Sequence, residues 1–176
     1  MALTGDQVFK EFLNYRPKKV LEIGGKSDGQ HFQIMKRQGI HVQTIDRIPP
    51  ADIVADYMDI EFEPQEAIWC SHVLEHQRNP GLFLDKIVRE LSDDGLLAIT
   101  VPPASPQLKG GHVTIWTEAI LIYQLVLSGL DCVKAKIWRY GYNISCLLKK
   151  RPIQLGPLTY SKADLETIRR YIPEKI

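Results

Sequence analysis

The stretch Val20-Leu-Glu-Ile-Gly-Gly-Lys-Ser-Asp-Gly29 decides how the rest of the chain is read. Lys19 to Ile23 has the apolar run of a buried strand, and a helix is expected from Gln30 to Arg37. Between them lies a turn bearing Gly24, Gly25 and Gly29. Without a Cβ, these positions let a ligand approach the backbone closely, next to the free N–H groups of a helix start. Glu22 stands at the strand end, where a carboxylate orients the turn or reaches a cationic ligand. A strand–turn–helix gains meaning when a second strand ends in an acid about 20 residues further on. His41-Val-Gln-Thr-Ile-Asp46 supplies it, with Asp46 placed to accept hydrogen bonds from ribose hydroxyls.

Working outward, the periodicity predicts a helix over Gln7–Asn14, ended by Pro17. Phe32, Ile34 and Met35 give the second helix its buried side. A short third strand is expected in Asp52–Asp56, and a fourth in Ala67–Ser71 without alternation, as in a strand covered on both faces. Pro80–Leu91 reads as a helix with Leu82, Phe83, Ile87, Val88 and Leu91 inward. Asp93-Asp94-Gly95 reads as a turn before a fifth strand, Leu96–Val101. Thr117–Ser128 is a helix capped by Thr117, and Cys132–Arg139 and Tyr142–Lys149 form a hairpin turning at Gly141. A further helix is expected near Lys162–Tyr171. Strands alternating with helices describe an α/β fold, a Rossmann-like, doubly wound, mostly parallel seven-stranded sheet with a terminal antiparallel hairpin. We expect one domain over 1–176, with a core at 18–149 and a C-terminal appendage at 150–176.

Composition narrows the function. The chain has 176 residues, 44% of them hydrophobic, enough for one full core. Its 22 basic and 21 acidic residues nearly cancel, so no global field recruits duplex nucleic acid or an anionic membrane. Lys134, Lys136, Arg139 and Lys149-Lys150-Arg151 read as a solvated sheet edge. Three scattered cysteines, Cys70, Cys132 and Cys146, read as buried thiols of a reducing compartment. Met1–Asp6 lacks a basic, then apolar, leader, and no run is long enough for a membrane span. A cytoplasmic location is the expectation.

In the same order along the chain come Val20-Leu-Glu-Ile-Gly24, Asp46, Asp52-Ile-Val-Ala-Asp56, Ala67-Ile-Trp-Cys-Ser-His-Val-Leu-Glu-His76, Leu91-Ser-Asp-Asp-Gly-Leu-Leu-Ala-Ile-Thr-Val-Pro102 and His112-Val-Thr-Ile-Trp-Thr117. Together they resemble the class I S-adenosylmethionine-dependent methyltransferases, in particular the small-molecule group with a V-L-E-H signature after the fourth strand. The resemblance spans about Lys18 to Leu148. It implies S-adenosyl-L-methionine as methyl donor and S-adenosyl-L-homocysteine as product. The implied cofactor contacts are Glu22, Gly24, Gly25, Lys26, Gly29, Asp46, Arg47, Asp56, Tyr57, Ser71 and His72. Asp46 would take the ribose, Asp56 and the Tyr57 backbone the adenine, and Ser71 and His72 the methionine end. The family's acid-x-G-x-G-x-G loop is altered, because Lys26 and Asp28 replace its second and third glycines and Gly29 follows one step later.

Transfer from a sulfonium needs mainly alignment, and a base only for a hydroxyl or protonated amine. His76 and His112 are the candidate catalytic bases, with His72 behind them. No resident metal is expected. His72-x-x-Glu75-His76 with His112 nevertheless resembles the E-x-x-E-H arrangement of small-RNA 2′-O-methyltransferases, which implies an alternative, metal-assisted methylation of a hydroxyl. The expected acceptor is a small molecule or glycan precursor, methylated on oxygen or nitrogen. Its lid would come from the N-terminal helix, the Ala104–Gly111 loop and the tail after Pro152. Trp116, Tyr140 and Tyr142 are candidates to line it, and packing against the sheet is the expectation for the two tyrosines. A methyltransferase-like binding or scaffold protein without turnover is the other alternative. The lack of G-x-G-x-x-G argues against a nicotinamide oxidoreductase. The sequence leaves the oligomeric state open.

Overall fold

Residues 4–176 are described by the computed structural model; Met1–Leu3 of the leader reading lie outside the described residues. The elements in chain order are α1 (Asp6–Asn14), β1 (Lys19–Ile23), α2 (Gln30–Arg37), β2 (His41–Asp46), β3 (Ile53–Val54), β4 (Gln65–Ser71), α3 (Pro80–Glu90), β5 (Leu91–Val101), α4 (Glu118–Leu127), β6 (Lys136–Tyr140), β7 (Asn143–Lys149) and α5 (Asp164–Ile168). Short 3-10 turns cover Tyr57–Asp59, Leu74–His76 and Arg169–Tyr171. The seven strands form one sheet in the order β3-β2-β1-β4-β5-β7-β6. The β1, β2, β3, β4 and β5 pairings are parallel, and β7 runs antiparallel to both β5 and β6. This is the doubly wound, Rossmann-like α/β sheet expected from the alternation of elements.

Both sheet faces are covered, which is why the strands read as unbroken apolar runs. Residue parity sorts the two layers. Val20, Ala67, Trp69, Leu96, Ala98 and Leu147 pack with Val8, Phe9 and Phe12 of α1 and Met35 of α2. Leu21, Ile68, Cys70, Leu97, Ile99 and Cys146 pack on the other side with Phe83, Leu84 and Ile87 of α3 and Leu121, Leu125 and Val126 of α4. The tail joins the second layer through Ile168, while the Cys132 N–H donates to the Tyr171 carbonyl at 2.9 Å. The three cysteines are buried and free. Among the described residues no helix is long and apolar enough to cross a membrane.

Several expectations are corrected. Leu82 is 60% exposed; two residues short of Leu84, it stands some 200° around the helix from that buried position. In its place Lys86 and Glu90 are buried, paired at 2.5 Å. In α2 only Met35 is fully buried; Phe32 and Ile34 are partly covered. The third strand keeps two residues, because Asp52 turns back to accept from the Thr44 N–H and hydroxyl and Asp56 caps the following turn. The Asp93–Gly95 turn sits inside β5, which follows α3 without a loop. Leu91 pairs with Gln65 and Leu96 with Ala67, so the intervening residues bulge, with Asp94 at φ 59°. The hairpin's first strand begins only at Lys136, and the last helix is short, Asp164–Ile168, before its 3-10 turn.

Candidate functional site

Ligands in open α/β sheets sit beyond the carboxyl ends of the parallel strands, beside the point where strand order reverses. Here that point lies between β1 and β4, and two cavities meet there. The smaller, about 360 Å³, runs over the ends of β1 and β2 and is lined by Gly24, Asp46, Arg47, Asp56, Tyr57, His72 and His76 among others. The larger, about 690 Å³, runs toward the β6–β7 hairpin and is lined by Asp6, Glu22, Gly24, His31, Ser71, His72, Tyr140, Tyr142 and Asn143 among others. Ile23, Gly24 and His72 border both.

Gly24 is held at φ +74°, with its N–H donating to the Ile45 carbonyl at 2.8 Å. A Cβ there would stand 2.2 Å from Val73 Cγ2, so only glycine keeps the junction open. The other loop residues are placed differently from the expectation: Gly25, Lys26 and Gly29 line neither cavity. Glu22 folds over Gly25, where a Cβ would come within 2.3 Å of its Cγ. Gly29 closes a tight turn by donating to the Lys26 carbonyl at 2.8 Å, and Ser27 ties that turn to Pro50.

At the end of β2, Asp46 is half-buried, and its Oδ1 accepts from the Ile48 N–H at 3.0 Å. Asp56 is more committed. One oxygen accepts from the Met58 N–H and the other from Arg47 at 2.5 Å. Tyr57 is anchored below by its phenol, which donates to Glu90 at 2.5 Å. Burial and that acceptor push its pKa up.

The larger cavity has an unusual lining of polar atoms without partners. Glu22 Oε2, Trp69 Nε1 and Ser71 Oγ are buried and unbonded among the protein's own groups. Such atoms are rare in native folds and call for a ligand or solvent partner. Burial, followed by the nearby Asp52 charge, raises the Glu22 carboxyl to about 8. His31, wedged against Phe9 and Trp69, donates from Nε2 to the Thr4 carbonyl at 2.8 Å, and burial lowers its pKa to about 4. At neutral pH the 3.8 Å contact between Glu22 and His31 therefore joins two uncharged groups.

His72 sits at φ 55°, its N–H bonded to the Thr100 carbonyl at 2.8 Å. Its Nε2 meets Asn143 Oδ1 at 3.0 Å and its Nδ1 comes within 3.1 Å of Glu75 Oε1. Burial alone lowers its pKa, but the Glu75 and Asn143 contacts outweigh that and raise it. With both nitrogens engaged, His72 is poorly suited to act as a base. His76 is more exposed, its Nδ1 2.7 Å from the Gly111 carbonyl. His112 lines a third cavity of about 150 Å³ beneath the 102–109 segment, with Trp116 and Tyr142. Its ring meets His76 edge-on at 5.1 Å.

Sequence reasoning missed His31, Asn143 and Asp6, and it favoured packing over pocket lining for both hairpin tyrosines. The structure corrects this: Tyr140 and Tyr142 line the larger cavity, and Tyr142 is 45% exposed with its ring stacked on His72. The signal was topological. β6 runs parallel to β5, so the turn at Gly141 must lie at the same sheet edge as the ends of β1 and β4. The tail is corrected as a lid too, since no residue after Asn143 lines any of these three cavities.

The chain's likeness to known proteins fits this layout. Among solved structures it is similar to the 1,6-didemethyltoxoflavin-N1-methyltransferase of Burkholderia thailandensis, at 17% identity and a TM-score of 0.68 over 82% of this chain and 77% of that one. It is also similar to the N-methyltransferase NodS of Bradyrhizobium japonicum, at 16% identity and TM-score 0.66 over 82% and 84%. The [4+2]-cyclase SpnF matches at 13% and 0.61 over 85% and 82%. At these identities the likeness is one of fold. No curated protein is a significant match. A family model described as a methyltransferase domain matches residues 5–137, which hold the site apart from Thr4 and residues 140–143. The chain belongs to that methyltransferase-domain family.

Proposed function

We propose that the protein binds S-adenosyl-L-methionine across the two joined cavities and transfers its methyl group to a small-molecule or glycan-precursor acceptor, on oxygen or nitrogen. The observation that carries this reading is the junction at Gly24 and His72, with a carboxylate, Asp46, on one side and unpartnered polar atoms on the other. The nucleoside occupies the smaller cavity, with the ribose on Asp46 and the adenine over Tyr57. Asp56 and Arg47 close that end as an ion pair. The methionine part crosses Gly24 and reaches Glu22 and Ser71, and the acceptor enters beside Tyr142. Solved relatives with bound S-adenosylhomocysteine, such as NodS, support the choice of cofactor.

The chemistry asked of the chain is alignment and exclusion of water. Where the acceptor carries a proton, His76 is the better placed base, because His72 is committed to Glu75 and Asn143. Four cations of the sheet edge are paired, Lys136 with Glu11, Arg139 with Glu118, Lys149 with Asp94 and Lys150 with Asp93, which disfavours a duplex nucleic acid substrate. Buried free thiols fit a reducing, cytoplasmic setting.

Calorimetry with S-adenosylhomocysteine tests the reading. Losing one charge-assisted bond to a ribose hydroxyl costs about 1.5–3 kcal/mol, and water replaces part of a second. Asp46→Ala is therefore expected to weaken binding by roughly tenfold to a few hundredfold. Unchanged affinity removes Asp46 from the site. A second reading, binding without turnover, draws on Gly25, Lys26 and Gly29 lining neither cavity and on the cyclase that shares the fold. Cofactor binding with no S-adenosylhomocysteine formed over a broad acceptor panel would favour it.

A further inference from the structure

We propose that Glu75, His76 and His112 form a site for one first-row divalent transition-metal ion. Their candidate ligand atoms all lie within 4.8 Å of one another. Glu75 is 0% exposed, and neither carboxylate oxygen accepts a well-directed hydrogen bond; the nearest donor, His72 Nδ1, comes within 3.1 Å of Oε1 and leaves Oε2 bare. A buried carboxylate left with bare acceptors is costly unless something positive meets it.

The geometry around His76 shows where that something would sit. Its Nδ1 lies 2.7 Å from the Gly111 carbonyl, which only accepts, so the ring proton sits on Nδ1. Nε2 is the nitrogen left free of that bond, and it lies 3.9 Å from Glu75 Oε1. An imidazole nitrogen and a carboxylate oxygen at this separation leave a gap that one cation bridges. Metal bonds of about 2.0–2.2 Å to imidazole and carboxylate place neighbouring ligand atoms roughly 3–4 Å apart, matching this gap.

The third ligand is brought in by the same residue. The Glu75 carbonyl accepts from the N–H groups of Val113 at 2.8 Å and Thr114 at 3.2 Å. Thr114 also reaches the Leu74 carbonyl at 3.3 Å. These bonds pin the segment carrying His112 against the Leu74–His76 turn. His72 Nδ1, 3.1 Å from Glu75 Oε1 but off the hydrogen-bonding direction, stands as the outer group that orients the carboxylate.

Two imidazoles and one carboxylate favour Mn, Co, Ni or Zn over Mg or Ca, and they leave coordination positions open. The cavities that His76 and His112 line lie beside the site, so the ion, in taking the nitrogen that His76 would otherwise use as a base, would itself polarise an oxygen ligand there. The site itself stands whether or not the acceptor is a hydroxyl.

The test uses the full chain, stripped with chelator and titrated with Co²⁺, Zn²⁺ and Mg²⁺ by calorimetry, with the Co²⁺ visible spectrum as a second readout. Expected are one equivalent of Co²⁺ or Zn²⁺ per chain, an imidazole-ligated Co²⁺ band and no Mg²⁺ binding. His76→Ala and His112→Ala should each weaken Co²⁺ binding at least about tenfold. Their metal-free melting temperatures should stay near that of the parent, since His76 is exposed and His112 half-buried. Glu75→Gln should abolish binding, but because Glu75 is buried the histidine variants carry the test if it fails to fold. No stoichiometric ion, or binding that survives both histidine substitutions, overturns the proposal. Binding of S-adenosylhomocysteine, measured separately on the metal-free chain, reports on the methyltransferase reading alone.

Discussion

Glu22 and His31 show how two buried titratable residues shape one wall of the larger cavity. The Glu22 carboxyl is raised to about 8, so the fold favours its neutral form. That contribution to stability is complete below the ordinary carboxylate range and is lost as pH rises through about 8. His31 is lowered to about 4, again favouring the neutral form. Its contribution is present above the ordinary histidine range and is lost as pH falls toward 4. Stability from this pair is therefore greatest on the mildly acidic side of neutrality. Glu22→Gln mimics the protonated acid and cannot ionise, so the parent's stability relative to it should fall by roughly 2–3 kcal/mol between pH 6 and pH 9. Denaturant unfolding at the two pH values measures this. A constant difference between them would mean that Glu22 is ionised in the fold. None of this was legible in the sequence. Glu22 was visible as a strand-end acid, but its turn over Gly25 and its facing of His31 depend on packing between β1 and α2. Asp46 was legible because its place follows from strand length alone.

At the scale of elements, α3 carries a charged network under the wall of the smaller cavity. Lys86, 2% exposed, pairs with Glu90 at 2.5 Å and Glu61 at 3.3 Å, while Glu90 takes the Tyr57 hydroxyl and the Phe62 N–H. Every member is satisfied, and the network ties the segment after β3 to the helix. Removing one partner strands a buried charge, which costs about 3–5 kcal/mol. Lys86→Ala should lower the unfolding free energy by about that amount, and a loss below 1 kcal/mol would show that Glu90 is neutralised or solvated without it. Helical periodicity pointed α3's apolar face inward and identified Phe83, Ile87 and Leu91, yet it placed Leu82 inside and gave no hint of Lys86. Charged residues at i, i+4 look the same on a solvated face as on a buried one until the opposing segment is known. The bulge within β5 was hidden likewise: Asp-Asp-Gly spells a turn, and pairing with β4 converts it into an irregularity of a continuing strand.

For the whole molecule, alternating elements sufficed for the fold class, while the site needed strand order. Once β7 inserts antiparallel between β5 and β6, the hairpin turn is carried to the ligand edge, and Tyr140, Tyr142 and Asn143 follow. The same order carries the chain end away from that edge, against Leu130 and Cys132. There the tail contributes buried Ile168, a bridge from Pro152 to Leu130, and hydrogen bonds that satisfy the Gly129 carbonyl and the Cys132 N–H. We therefore propose that residues 150–176 belong to one cooperative unit with the sheet, although they line none of the three cavities at the ligand edge. Burying one isoleucine is worth about 1.5–3 kcal/mol, and an orphaned buried N–H costs about 1–3 kcal/mol. A chain ending at Arg151 should thus lose at least about 3 kcal/mol of stability. The intact chain should unfold in a single transition, with calorimetric and van't Hoff enthalpies in agreement. A truncated chain that melts with the parent would instead make the tail a passive appendage, leaving the sheet and its four principal helices to account for the fold alone.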